Sequence, residues 1–263
     1  MVTERSNAGI AHALREGLAR AASAPVVLVG TFAVARLLDV PAASLSFFER
    51  GARAVLVWLL FWSLAYGGII DRLARNRPTR AYGFFAACGG HATALARLAI
   101  VAIAVDAALS PLAAGWMATR AERAGVALVL ALGSALFAFA RIRLVVEDRR
   151  SAFGALLASM RFLRRNPSGV VLMVGFAMVA IGANSLSRAA LASGVIAEGW
   201  QRRVFTEGVL AVQLWLKLTA YASGIALFQA RLAHAGYTAA PPAVWPESAS
   251  AEAIANAAPP IAP

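Results

Sequence analysis

Two ionisable residues stand where the apolar pattern of this chain leaves little room for charge. Asp106 follows Arg97 by nine residues, ~13 Å at the helical rise, which sets it near mid-depth if its apolar run is a membrane helix. Lys217 follows Gly208 by the same nine residues and reaches a similar depth from the opposite surface. A lone charge at the bilayer centre costs roughly 2.5–3.5 kcal/mol on insertion scales, so such groups turn toward a partner or a wet cavity. Pairing Asp106 with Lys217 relieves both costs. With Ser110 one turn from Asp106 and Gln213 one turn from Lys217, the four could line an ion or substrate path, the chemistry of a small transporter or permease. The plainer alternative is a structural tie between two spans, because one acid and one base make a thin proton relay.

A second chemistry lies in the arginines. Phe153, Leu156, Leu157, Met160 and Leu163 recur at helical spacing, while Arg149, Arg150, Arg161, Arg164 and Arg165 surround them. This pattern predicts an interfacial amphipathic helix whose guanidinium groups meet anionic headgroups, each worth ~1 kcal/mol near such a surface. A connector that only anchors topology is the bland reading of the same residues.

Catalytic signatures are missing. The chain contains no His-Glu-x-x-His pair, no Walker loop, no Gly-x-Gly-x-x-Gly turn and no Gly-x-Ser-x-Gly elbow. His12, His91 and His234 lack neighbouring carboxylates or thiols, and the single cysteine, Cys88, rules out an internal disulfide or a multi-thiolate site. We therefore expect no catalytic, cofactor-binding or metal residues, no cofactor, and no enzyme.

The elements that must position these residues are apolar helices. Six runs approach the ~17–25 residues that cross hydrocarbon: Pro25 to Leu38, Ala54 to Ile70, Leu98 to Ala118, Gly125 to Ala140, Pro167 to Leu186 and Gly208 to Ala230. Apolar residues make up 60% of the chain and charged ones 14%, against roughly 45–50% and about 25% in soluble domains, so no water-soluble shell can be built. The expected fold is all-α, an integral membrane bundle of six transmembrane helices with interfacial amphipathic helices.

The formal charge is +12, and the basic residues bunch at the ends of alternate runs. With a cytoplasmic amino terminus, 16 of them fall on the inner side and 7 on the outer, leaving Arg36 and Lys217 inside spans. A bias of this size in short loops sets orientation, so a multi-pass protein of a bacterial cytoplasmic membrane with both termini inside is predicted. Nucleic acid is not an expected partner, since its binders carry one basic stripe on a soluble fold. Membrane lipids, anionic ones above all, and another membrane protein are.

Local expectations follow. Residues 1–23 read as a cytoplasmic amphipathic segment, with Ile10, Leu14 and Leu18 at four-residue steps and Glu16 and Arg20 as an i,i+4 pair. Residues 24–234 form the transmembrane domain, and 235–263 an Ala/Pro-rich disordered tail. Tyr82 to Ala96 reads as a shallow helix bending at Gly89-Gly90 before the chain turns upward near Arg97. Tyr66 is expected in an aromatic belt, Trp58 and Trp62 on one packed face, and Arg36 paired with Asp39. Asn184 is a candidate for a bond across helices, and the pairs Ala104 with Ala108 and Ala131 with Ala135 for close helix contact.

The stretch Leu144-Val145-Val146-Glu147-Asp148-Arg149-Arg150, followed by Ala155, Ser159, Leu163, Arg165 and Asn166, resembles a pattern in bacterial integral membrane proteins. These are the YciC-like proteins and the membrane domain attached to some glycerophosphodiester phosphodiesterases. Gly67-Gly68-Ile69-Ile70-Asp71-Arg72 is similar to them too. The resemblance is strongest over Arg141 to Asn166 and implies a six-helix membrane bundle. It brings no catalytic residue to transfer, and this chain has no phosphodiesterase domain.

Overall fold

The computed structural model describes residues 2–37, 52–76, 80–115, 120–194, 196 and 198–232, and among these every regular element is an α-helix. In chain order the helices are α1 (Val2–Ala22), α2 (Pro25–Leu37), α3 (Ala52–Arg75), α4 (Ala81–Gly115), α5 (Arg120–Val146), α6 (Ala152–Arg165), α7 (Pro167–Ala192) and α8 (Trp200–Arg231). Four stretches are long and apolar enough to cross a membrane, Ala81–Val105, Leu128–Val146, Pro167–Ala192 and Trp200–Arg231. The pair Gly9–Ala22 and Pro25–Leu37, bent by 69°, adds a fifth if it is one span. The count is four to five where the sequence predicts six. The second apolar run falls on α3, where the side chains of residues 52–55 and 58 lie outside the described ones.

The break between α1 and α2 has a local cause. Pro25 lacks an N–H and its ring pushes Ala24 out of the helical region, while Ser23 turns its hydroxyl back onto the Arg20 carbonyl at 2.8 Å. Beyond the bend the chain keeps company with α8. Gly9 lies beside Arg231, Gly17 beside Ser223, and Arg36 pairs with Glu207 at 2.6 Å, so α1 and α2 run antiparallel to α8 along most of its length. Ile10 and Leu14 pack on the core, whereas Leu18 is exposed. The predicted Glu16 pair with Arg20 is present at 3.1 Å. Arg36 finds Glu207 on another helix; the expected partner, Asp39, lies outside the described residues.

Small residues let these helices touch. A Cβ on Gly17 would stand 2.0 Å from the Ser223 hydroxyl and 2.5 Å from its backbone nitrogen. One on Gly224 would meet Met173 of α7 at 2.2 Å and Ile142 of α5 at 3.1 Å. Ala222 and Ser223 are fully buried between them. The α3–α4 hairpin closes the same way, with Gly67 against the Ala87 carbonyl and Gly68 against Cys88 and Phe84. Around these contacts sit Trp62, Ile69, Ile70, Leu73, Phe139, Ile142, Leu214 and Phe228, all buried in one core. Val26, Val29 and Leu37 on α2, Leu56, Leu60 and Leu64 on α3, and Val171, Met178 and Val179 on α7 face outward. Such continuous apolar outer surface suits hydrocarbon as the solvent.

Three expectations are corrected. α4 is one unbroken helix from Ala81 to Gly115, with no bend at Gly89-Gly90. Glycine permits a bend without requiring one, and α3 grips Phe84, Ala87 and Cys88 just before that point. Tyr66 is 4% exposed, which removes it from any aromatic belt; Tyr82, at 87%, is outward. Of the small pairs, Ala131 and Ala135 are buried while Ala104 and Ala108 are exposed. The carboxyl-terminal tail lies outside the described residues.

The Gly17 contact gives a direct test. Gly17→Leu should lower stability in detergent by about 1–3 kcal/mol through overpacking, read as a drop in thermal midpoint, whereas Gly83→Ala, where a Cβ meets nothing within 4 Å, should not. Equal midpoints for both variants would mean that α1 is not seated on α8.

Candidate functional site

The amphipathic helix predicted between the fourth and fifth runs is α6, and the chain builds its start carefully. α5 ends in a left-handed residue, Asp148 at φ +47°, with the Arg149 amide donating to the Leu144 carbonyl at 3.0 Å. An aspartate tolerates that conformation better than most side chains, and the closure turns the chain sharply. Ser151 then caps α6 by accepting from the Gly154 amide at 3.1 Å.

The helix carries two unlike faces. Ala152, Ala155, Ser159, Phe162 and Leu163 are buried, with the Phe162 ring 5.2 Å from Phe139 on α5 and 5.3 Å from Phe228 on α8. Phe153, Leu157 and Met160 point away from the bundle, each more than half exposed, and Arg161, Arg164 and Arg165 are exposed beside them. Leu163, expected on the outer face, is thus an inner residue, because small Ala155 and Ser159 let that side approach α5 more closely. Arg149 leaves the group in part: its Nε pairs with Glu147, which also sits 3.3 Å from the Arg143 Nη2. Arg150 remains exposed.

Two of the interior polar residues, Lys217 and Gln213, are described. Lys217 Nζ rests 3.5 Å from the centroid of the Trp62 ring and 5.5 Å from that of Tyr66. Arg141 approaches Tyr66 from another side, its CZ at 4.9 Å, and donates to the Tyr221 hydroxyl at 2.9 Å. Two cations and three aromatic rings from α3, α5 and α8 therefore share one patch, held by ring–cation attraction. Gln213 turns to α7, its amide donating to the Asn184 Oδ1 at 3.4 Å, so the expected bond of Asn184 across helices is made. It borders a cleft of about 320 Å³ with Ala183, Phe205, Gly208, Val209 and Val212, none of them charged. The side chains of Asp106 and Ser110 lie outside the described residues, and with them the expected pairing of Asp106 with Lys217.

A third cluster went unpredicted. Arg20, counted in the sequence as a surface cation, is 7% exposed. Its guanidinium donates to the Leu73 carbonyl at 3.2 Å and to Gln229 at 2.8 Å, while Gln229 donates to the Ala74 carbonyl at 3.1 Å. Arg72 in return donates to the Ser23 carbonyl at 3.2 Å. The available signal was Ala13, Gly17 and Ala21, a small stripe at four-residue spacing on an otherwise charged helix. Among the described residues no three His, Cys, Asp or Glu side chains gather as metal ligands. Searches against family models, curated proteins and solved structures find no match to this chain.

The cation–aromatic patch is measurable. In a double-mutant cycle of Lys217→Met with Trp62→Leu, a coupling of about 1–2 kcal/mol in detergent unfolding is expected for a desolvated cation over an indole. A cycle that closes at zero would show that the ring contact contributes nothing.

Proposed function

We propose that this chain is a six-span protein of the bacterial cytoplasmic membrane that works without catalysis, as an envelope-support or interaction component. In this reading both termini face the cytoplasm, and a basic inner surface binds anionic lipid or a membrane partner. The observation that carries it is the outward face of α6, where Phe153, Leu157 and Met160 are exposed together with Arg161, Arg164 and Arg165. A helix that buries one face in protein and offers bulky apolar groups plus arginines on the other is suited to lie at a headgroup boundary. The apolar side chains enter the acyl edge and the guanidinium groups meet phosphates. Since α6 is fixed to α5 and α8 through Phe162, such contacts would hold the bundle's inner end against the leaflet.

The same reading explains why the inner connections are arginine-rich beyond the needs of topology. It also takes α3 as a span and begins the α4 span near Leu98, as the third apolar run does, leaving Arg97 at the inner surface; with the bent α1–α2 pair the count is six. The transporter alternative needs Asp106, Ser110, Gln213 and Lys217 around one wet cavity. Gln213 bonded to Asn184 and Lys217 against Trp62 make interhelical ties of their own, which supports a structural use of these two groups.

Reversal of Arg161, Arg164 and Arg165 to Glu should reduce the enrichment of phosphatidylglycerol over phosphatidylcholine around the protein in mixed-lipid nanodiscs by at least about tenfold. Lipid composition of the purified discs reads this directly, and unchanged enrichment would remove the basis of the proposal. Orientation has its own check. A cysteine at Arg164 should react with an impermeant maleimide only in inverted membrane vesicles and one at Arg202 only in right-side-out ones; the opposite pattern, or labelling of both from one side, contradicts the topology.

A further inference from the structure

Arg97 of α4 and Arg150, two residues ahead of α6, line a single cleft of about 400 Å³ with Val101, Ser151, Ala152 and Phe153. Both arginines are exposed, and among the described residues neither has an ion-pair partner. Glu147 is taken by Arg143 and Arg149, and the exposed Asp148 has its Oδ1 3.8 Å from the His91 Nδ1. Two guanidinium groups thus border one concavity and present it with positive charge.

The rest of the lining and the α4 face beside it say which anion. Val101 lines the cleft; Val105 follows it at a four-residue step on the same face of α4, outside the lining, and Ile100 beside them is 56% exposed. Phe153, 67% exposed, closes the other side. A small soluble phosphate would leave these apolar groups in water. A phospholipid would bring its phosphate to Arg97 and Arg150 and lay an acyl chain along Val101 and Val105. Guanidinium suits that phosphate, since its planar N–H fork bonds two oxygens at once. A zwitterionic headgroup would carry its own cation against the same arginines, so the fit is to a lipid of net negative charge.

We infer that the Arg97–Arg150 cleft is a discrete site for one anionic phospholipid of the inner leaflet. The inference deepens the lipid-binding reading above and rests on it for the side of the membrane. It differs in kind, being one bound molecule rather than an enriched shell.

Native mass spectrometry of the full-length protein in detergent, with added phosphatidylglycerol, tests it. A single retained lipid is expected, preferred about tenfold or more over phosphatidylcholine at equal concentration. The double variant R97Q/R150Q should lose that adduct, and so should Val101→Trp, which fills the cleft and leaves every charge in place. The reversal of Arg161, Arg164 and Arg165 should leave it. Retention of the lipid by both cleft variants overturns the site, as does equal retention of phosphatidylcholine or one bound glycerol phosphate in place of lipid. If R97Q/R150Q fails to fold, Val101→Trp alone decides. Loss of the adduct in the cleft variants, with nanodisc enrichment unmoved by the α6 reversal, would sustain this site while rejecting the broader basic surface.

Discussion

Close approach at Ala222-Ser223-Gly224 on α8 is the constraint from which the remaining geometry follows. In lipid there is little hydrophobic drive between helices, because the tails are as apolar as leucine, and association depends on van der Waals contact and interhelical hydrogen bonds. Three consecutive small residues on one helix face three directions. Through them α8 receives α1 at Ser223 and α5 and α7 at Gly224. Several polar and aromatic contacts of the interior are attached to that post: Lys217 and Tyr221 lie just before it, Phe228 and Gln229 just after. Were the helices spaced by ordinary side chains at this level, Arg141 could not reach Tyr221, nor Arg20 reach Gln229.

The ends of α1 and α3 show how buried arginines are made tolerable. A helix leaves its last carbonyls without intrahelical partners, and these carry the negative end of its dipole. Arg20 of α1 donates to the end of α3 at Leu73, and Arg72 of α3 donates to the end of α1 at Ser23. Each cation therefore supplies the donors that the other helix's terminus lacks. Gln229 adds Ala74 to the same exchange. Burial of a charge is costly alone, yet here it satisfies carbonyls that would otherwise be stranded, so the cost of each group offsets the other's.

How much of this was legible depends on what the sequence had to distinguish. α6 was, because a 3.6-residue apolar period and flanking arginines coincide over Arg149 to Arg165; its Ser151 cap was not singled out. Helices in the bundle were legible as apolar runs, but their ends were not. Gly89-Gly90 reads as a bend although α4 passes through it, since glycine's freedom states only what is allowed. Docking of α1 was hidden by its charges: the Ala13, Gly17 and Ala21 stripe is narrow, and Arg20 looks like a surface residue until a neighbouring helix end is known. Tyr66 was misplaced for a similar reason, as its depth along α3 suited a belt while its azimuth pointed at Tyr221. Lys217 stood out as a cation within an apolar run, but its resting place on Trp62 depends on which faces of α3 and α8 meet, and spacing along either helix alone does not contain that.

The arginines divide into two populations that composition cannot separate. Arg20, Arg72, Arg141 and Arg143 turn into the bundle, where rings, carbonyls and acids receive them, while Arg97, Arg150, Arg161, Arg164 and Arg165 remain turned out. The first group acts within the fold, so its contacts hold whatever the membrane's charge. The second has no such internal use among the described residues, and it gathers around one turn, Glu147 to Ser151, and the helix that follows. Orientation by positive charge requires only that arginines resist translocation, which either population satisfies. Selection of lipid requires exposed guanidinium beside exposed apolar groups, which the outer population alone offers, at Phe153 first of all.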